Sequence, residues 1–410
     1  MSKNIIWTDE QEELIRRATK WFNDPDAPQT FQYSGKAGTG KSEVMHAIIE
    51  SIGLTETEYK AMAYTGAAAL VMRRKGFAGA KTIHSSIYEP AYDKKNKRII
   101  RFQWKYIDPH VRLICIDEAS MVGERIKYDL LRQNRKILCC GDLNQLPPVK
   151  DQPAFLSEND DIFYLTKIMR QKEDSPIVQI ADKVLNGIPV MPGNYGNTVL
   201  VIQKKDLWNN IYDIVKYYGI IICGKNVTRD EINDYVREKI YGYVSPLPLK
   251  GEKLICRQND WNQEVDGINL VNGLYGTASS TPTISVYEDD AFQMDFMPEF
   301  MDIPFLNLMC DYKYFRADYH ERRRMKEDFK EPRHLQKFEY AYAITTHVSQ
   351  GSQFRTGVYM EEYLPRAGNK LNYTGITRFS DKCIYVLPDR VRKMWYNFAG
   401  PYMIDVVNKK

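Results

Sequence analysis

The sequence predicts an α/β protein of two parallel-sheet domains, the first carrying an inserted hairpin and the second interrupted by a small β-rich domain. Three observations predict this. Short β-rich runs alternate with amphipathic helical runs through the first 170 residues. The same alternation begins again near residue 198. Between residues 246 and 337 it gives way to short β runs with Gly and Asn turns. The expected domains are therefore residues 1–170, with the hairpin at 85–108, then 171–245 joined to 338–410, with 246–337 as the insert. A length of 410 residues suits two or three domains.

Taken in order, Thr30–Ser34, Tyr59–Tyr64, Val111–Ile116, Lys136–Cys140 and Ile162–Leu165 read as strands. The run from Ser42 to Gly53 reads as a helix, with Val44, Ile48 and Ile52 on one face and a glycine stop. Between Ser85 and Pro109 the pattern breaks, and Tyr92 to Trp104 reads as two short strands around a basic turn. The second α/β stretch offers strands at Thr198–Gln203 and Ile220–Cys223 and helices at Lys205–Tyr218 and Thr228–Tyr241. In the insert, Gly251–Arg257, Asn272–Thr277 and Ile284–Tyr287 read as β. An acidic stretch, Glu288–Asp302, and a charged helix around Tyr314–Lys330 follow. The α/β pattern is expected to resume with Phe338–Thr345, Gly357–Tyr359 and Cys383–Leu387.

Composition narrows the class. Hydrophobic residues are 43%, aromatics 12% and charged residues 27%, as in a folded soluble protein. No stretch approaches the roughly 18 apolar residues of a membrane span. The first ten residues, Met1 to Glu10, lack the apolar run of a signal peptide, so a cytoplasmic protein is expected. The seven cysteines form no CxxC pair and read as reduced packing residues, and the six histidines show no metal spacing. A net charge of +4 is too small to announce a polyanion partner, so any such partner must be argued from local patches.

The chemistry begins at Ser34-Gly35-Lys36-Ala37-Gly38-Thr39-Gly40-Lys41-Ser42, which fits G-x-x-x-x-G-K-[ST] between a strand and a helix. Glycines let the backbone N–H groups curl toward phosphate oxygens at a helix N-terminus. In that pattern Lys41 reaches the β- and γ-phosphates and Ser42 holds Mg²⁺. Ile114-Cys-Ile-Asp117-Glu118 ends an apolar strand in two carboxylates: Asp117 to organise the Mg²⁺ of bound ATP, Glu118 to deprotonate the attacking water. Gly141-Asp142-Leu-Asn-Gln145-Leu-Pro147-Pro148-Val149 follows the next strand, where the Gln145 amide can sense the γ-phosphate.

These three segments, in this order, resemble motifs I, II and III of superfamily 1 helicases. Leu-Pro-Pro after Gln145 resembles the RecD/Dda-like branch, superfamily 1B, and phage Dda-type helicases most of all. Leu165 to Gln171 resembles motif IV, Gly224 to Asn233 the next block, Thr345 to Gly351 motif V and Tyr373 to Arg378 motif VI. The likeness spans nearly the whole chain. Motif VI departs in ending Thr-Arg-Phe, motif Ia in reading Tyr64-Thr65-Gly66-Ala67, and Met169 stands where some relatives place an adenine-stacking aromatic. The resemblance implies two RecA-like domains facing each other with ATP between them, and an insert like the SH3-like 2B domain of Dda and RecD.

A γ-phosphate exposed at a domain edge needs a cation for its developing charge, and Arg170 and Arg378 are the candidates. Gln11, in Thr8-Asp-Glu-Gln11, resembles the adenine-reading glutamine of the Q motif, and Gly351 of motif V is placed with the nucleotide. The family's DNA contacts fall on Thr65, Thr82, His84, Thr346, His347, Ser349 and Gln350, short polar groups suited to phosphate and sugar. The hairpin interleaves Lys94, Lys95, Lys97, Arg98, Arg101 and Lys105 with Tyr92, Phe102 and Trp104, which suits a single strand and a base-stacking wedge. Arg322-Arg-Arg324 is a weaker candidate, being flanked by acids. The expected function is an ATP-dependent DNA helicase moving 5′ to 3′ on single-stranded DNA and opening junctions, as a monomer. A P-loop ATPase acting as an assembly switch and a DNA-binding module with structural ATP are the alternatives.

Overall fold

The computed structural model describes residues 6–92, 99–148, 152–157, 160–167, 175–242, 245–285, 290–299, 301–327, 335–365 and 367–389. The chain divides into two compact units. The first comprises Met1–Glu173, Ser245–Ala341 and Gln350–Ser352; the second comprises Asp174–Val244, Tyr342–Ser349 and Gln353–Lys410.

The first unit opens with α1 (Asp9–Asn23), started by a capping box between Thr8 and Gln11. Then come β1 (Thr30–Gly35), α2 (Lys41–Ile52), β2 (Tyr59–Ala63), α3 (Gly66–Arg74), β3 (Lys81–Thr82) and α4 (Ile83–Ile87). The hairpin is β4 (Tyr88–Tyr92) and β5 (Ile99–Trp104), and β6 (Leu113–Asp117), α5 (Glu124–Leu131), β7 (Lys136–Gly141) and β8 (Ile162–Leu165) complete the α/β part. Its sheet runs β3-β2-β6-β7-β1-β8, all parallel. Successive strand residues point to opposite faces, so both faces need cover. Leu113, Cys115, Leu138 and Cys140 pack with α1 and α2 residues such as Leu14, Val44 and Ile48. Ile114, Ile116, Ile137 and Cys139 pack with Ile83, Val122 and Phe155 on the other face. In this order β7 lies between β1 and β6, which puts the segments after all three strands along one edge of the sheet.

The hairpin is fastened at its root. Tyr88 donates its hydroxyl to the Asp129 carboxylate at 2.6 Å, and the Trp104 indole donates to the Asp129 carbonyl at 3.0 Å. Arg132 lies over the Trp104 ring at 4.2 Å. The basic turn at 93–98 lies outside the described residues.

The insert is an antiparallel sheet ordered Thr283–Ile284, Ala291–Pro298, Tyr275–Ala278, Lys253–Cys256 and Phe338–Tyr340, with Phe305–Asp311 also pairing Ala291–Pro298. A two-stranded ribbon, Asp260–Val265 with Ile268–Leu270, accompanies it. The acidic stretch is largely a strand, because Phe292, Met294 and Phe296 alternate into the core. Phe338–Tyr340 belongs to this sheet, pairing antiparallel with Lys253–Cys256, so the α/β pattern resumes at Ala343 rather than at Phe338. The charged helix is two, Tyr312–Arg316 and Tyr319–Glu327. Arg322 is not a free basic face: it lies 3.9 Å from the buried Glu339 carboxylate and donates to the Tyr314 carbonyl. The insert packs on α3 through Leu70 and through Arg73, whose guanidinium donates to the carbonyls of Asp266 at 2.6 Å and Gly267 at 3.1 Å.

The second unit has its own sheet, ordered Ala343–Thr345, Ile221–Cys223, Phe354–Met360, Phe379–Leu387, Val199–Gln203 and Gly193–Tyr195. The pairings are parallel except at the last strand. The helix expected over Lys205–Tyr218 breaks at Asn210 into Lys204–Asn209 and Ile211–Tyr218. Among the described residues, no helix is long and apolar enough to cross a membrane.

Candidate nucleotide site and nucleic-acid track

The loop after β1 carries the phosphate-binding pattern, and its glycines are required by geometry. Gly38 and Gly40 adopt φ of 89° and 80°, a region that side-chain-bearing residues rarely enter. A Cβ on Gly35 would come within 2.3 Å of Thr39 Oγ1. Lys41 Nζ turns back over the loop, donating to the carbonyls of Gly35 at 2.6 Å and Lys36 at 3.1 Å. Gln11 braces the loop from α1. Its Nε2 donates to the Thr39 carbonyl at 3.1 Å while its Oε1 accepts from Thr8 N. A Cβ on Gly40 would stand 2.8 Å from that amide nitrogen.

Asp117, at the end of β6, meets Ser42: the Ser42 hydroxyl donates to Asp117 Oδ2 at 3.3 Å. Lys75 reaches the same hydroxyl, its Nζ 2.7 Å from Ser42 Oγ. Asp117 Oδ1 accepts from the Glu118 backbone N–H at 2.9 Å and from the Cys140 thiol at 3.2 Å. Glu118 itself stands at φ 53°, an unusual conformation for a residue with a side chain and one that clusters at functional sites. A hydroxyl and a carboxylate are hard oxygen donors of the kind Mg²⁺ takes, and at 3.3 Å apart they fit a shared ion. Gln145 is buried in the turn after β7, which Asp142 shapes by accepting from Asn144 N and Gln145 N.

Thr65 and Thr82 cap α3 and α4, accepting from Ala68 N and Ser85 N at 3.1 Å each. His84 lies between the rings of Tyr64 and Tyr88. Burial, then the charge of Arg125, holds its imidazole below the ordinary range, so it is neutral at pH 7. His347, in the second unit, is lowered by burial alone. Thr346 and Ser349 are fully buried, and their hydroxyls donate to the carbonyls of Cys223 and Thr346. Those two hydroxyls hold a turn together. Gln350, also buried, donates to the Leu146 carbonyl at 2.9 Å within the first unit. Gly351 lies against Thr65 and Ala68: a Cβ there would come within 2.5 Å of Thr65 Oγ1. Trp104 is the hairpin's root anchor, whereas Phe102 is 46% exposed and meets Trp261 of the ribbon edge-on at 5.5 Å. Arg378 is buried within the second unit, its Nε donating to the Thr374 carbonyl at 3.1 Å. Arg170 and the Tyr92 side chain lie outside the described residues.

The model of an AAA domain family matches residues 7–190. Over 375 residues the chain is 24% identical to the ATP-dependent RecD2 DNA helicase of Deinococcus radiodurans, covering 85% of this chain and 46% of that one. It is 27% identical over 222 residues to the ATP-dependent DNA helicase PIF1 of Candida albicans, which is 45% of this chain and 23% of that protein. The crystal structure of Pif1 helicase from Bacteroides in complex with ADP-AlF3 and ssDNA shares the fold, with a TM-score of 0.54 at 20% identity, covering 94% of this chain and 93% of that one. The chain is similar in sequence to RecD2 and PIF1 helicases and shares the Pif1 fold. It spans less than half the length of the curated relatives it matches. Pif1 from Candida albicans shares the fold as well, with a TM-score of 0.53 at 18% identity, covering 93% of this chain and 94% of that one. The fold shared with the Pif1 structures thus accounts for two parallel-sheet α/β domains.

Sequence reasoning passed over Lys75 and Cys140. A cysteine inside an apolar strand reads as packing, and a lysine at a helix end reads as a solvated charge. The β6–β7 register, with Ile116 opposite Cys139, is the signal that brings Cys140 to Asp117.

Proposed function

We propose that the chain is an ATP-dependent DNA helicase that moves 5′ to 3′ on single-stranded DNA and separates duplex ahead of it. The observation that carries this reading is the approach of Ser42 to Asp117 beside a glycine-shaped phosphate loop, in a fold shared with Pif1 helicases. ATP is the substrate; Lys41 and the loop N–H groups hold its β- and γ-phosphates. Ser42 and Asp117 would hold Mg²⁺, which when bound would offset charge on the phosphate oxygens. Glu118 takes the proton of the water that attacks the γ-phosphorus, and Gln145 senses whether that phosphate is present. Arg170 and Arg378 offset the charge that develops as the γ-phosphoryl transfers.

Single-stranded DNA contacts fall on Thr65, Thr82, His84 and His347. Neutral histidines favour hydrogen bonding over charge pairing, which suits contacts blind to sequence. The hairpin, with Phe102 at its exposed edge, opens base pairs at the junction. Steady-state ATPase with and without oligo-dT tests the motor. Strong stimulation is expected, and equal rates in both would remove the helicase reading in favour of a nucleotide switch.

A further inference from the structure

Three neighbouring strands present one row of side chains beneath the first turn of α2. Strand alternation puts Tyr33 on β1, Cys140 on β7 and Asp117 on β6 on the same face, and the register sets Tyr33 opposite Cys140. Tyr33 and Cys140 are fully buried. Each has a specific partner above it. The Tyr33 hydroxyl donates to the Lys41 carbonyl at 2.8 Å, tying the row to the helix that carries Ser42. The Cys140 thiol lies 3.2 Å from Asp117 Oδ1, and since a carboxylate oxygen only accepts, the thiol donates.

The consequence is a division of labour within one carboxylate. Oδ1 is committed to Cys140 Sγ–H and to the Glu118 N–H, and Oδ2 is turned toward Ser42 Oγ. We propose that Cys140 is a positioning residue for the metal-holding carboxylate, fixing Asp117 so that Oδ2 and the Ser42 hydroxyl face one divalent cation. The inference rests on the reading of Ser42 and Asp117 as that cation's holders. It adds that the donor at position 140, and not only the space it fills, sets metal affinity. Partners in the shell behind a metal's ligands govern ligand orientation in this way.

The test uses the full chain, Mn²⁺ as the metal probe and ADP as the nucleotide, with bound Mn²⁺ read by electron paramagnetic resonance and folding read by thermal midpoint. Cys140→Ala and Cys140→Val remove the donor, one leaving a small gap and the other filling it. Both are expected to weaken Mn²⁺ binding about 10-fold or more, the usual scale for such a partner. ADP binding in chelator is expected to stay unchanged. Cys140→Ser restores an O–H donor and is expected to keep most of the wild-type affinity. Wild-type affinity in both Ala and Val variants overturns the proposal, and so does a Ser variant as weak as Val, since packing alone would then matter. If Cys140→Val does not fold, the Ala and Ser pair still decides. Failure of the wild-type chain itself to bind Mn²⁺ with ADP would instead overturn the nucleotide-site reading, and this inference with it.

Discussion

Two turns in this protein share a plan and differ in length and in whether an acid of the chain sits in them. In the first unit β1 runs through Gly35 to Gly40 into Lys41 and α2. In the second, Ile221–Cys223 runs through Gly224 and Lys225 into the helix Asn226–Tyr241. Each is a strand, a glycine, a lysine and a helix N-terminus whose N–H groups favour negative charge. The first turn is long and curled by two left-handed glycines, and its lysine folds over the loop's own carbonyls. The second is short, and a carboxylate of the chain sits in it. Glu362 accepts from Gly224 N at 2.7 Å, Lys225 N at 2.8 Å and the Thr228 hydroxyl at 2.7 Å. A helix start can therefore be completed from outside, as we propose for ATP, or from inside. Loop length and an internal acid decide which.

The largest expected effects lie at the first turn. Glu118→Gln keeps shape and removes the base, so turnover should fall by at least about 100-fold, as for loss of a general base, with ATP still bound. Lys41→Ala should act differently, weakening nucleotide binding itself by removing a charge-assisted contact. Equilibrium binding of a labelled ATP analogue beside steady-state turnover separates the two. Near-normal turnover in Glu118→Gln would break the assignment of the first turn as a hydrolytic site.

Much of this contrast was legible beforehand. The strand-loop-helix pattern and the carboxylate pair stand in contiguous residues, and the sheet strands appear as apolar runs because both faces are covered. Glu362 was not legible, because its partner Gly224 lies 138 residues away in sequence. The insert's end was misplaced for a related reason. Phe338–Thr345 is one apolar run, but its first half pairs with Lys253–Cys256 and its second with Ile221–Cys223, and partners distant in sequence decide that. Motif spacing located Thr346 and Ser349 but said nothing of where their hydroxyls point, which is into carbonyls of their own turn.

Phe102 tests whether strand separation is independent of either turn. It stands on the hairpin, outside both, half-exposed beside Trp261. Stacking on one base is worth about 1–3 kcal/mol, and opening a base-pair step costs about 1.4 kcal/mol. Phe102→Ala should therefore cut unwinding of a 5′-tailed duplex severalfold or more, while DNA-stimulated ATPase and displacement of a bound protein from single-stranded DNA persist. Stopped-flow unwinding beside ATPase on one preparation reads both. If the two fall together, Phe102 serves packing against Trp261 and not the wedge.

A smaller effect is expected at the second turn, and on stability alone. Glu362→Ala leaves two backbone donors and the Thr228 hydroxyl short of their acceptor. Leaving such groups unsatisfied costs about 1–3 kcal/mol, a shift of a few degrees in thermal midpoint. Nucleotide affinity at the first turn should be unchanged. Scanning calorimetry with and without ADP checks both, and a loss of ADP binding at unchanged midpoint would break the claim that this acid is structural.

The smallest effect is the most discriminating. Lys225 and Lys41 look alike in sequence, each following glycine at a helix start, yet only Lys41 is proposed to hold phosphate. Lys225 is half-exposed, and its Nζ stands 3.8 Å from Glu362 Oε1, a loose and partly solvated pair. Such pairs contribute about 0.2–1 kcal/mol, so Lys225→Ala should lower the thermal midpoint by a degree or two at most. Turnover and ATP affinity should stay at wild-type values, against the loss expected for Lys41→Ala. The acceptor at the second turn is filled chiefly by backbone N–H groups and Thr228, which the substitution leaves in place. Should Lys225→Ala instead lose nucleotide binding as Lys41→Ala does, the second turn would be a phosphate site too, and Glu362 a residue that phosphate displaces.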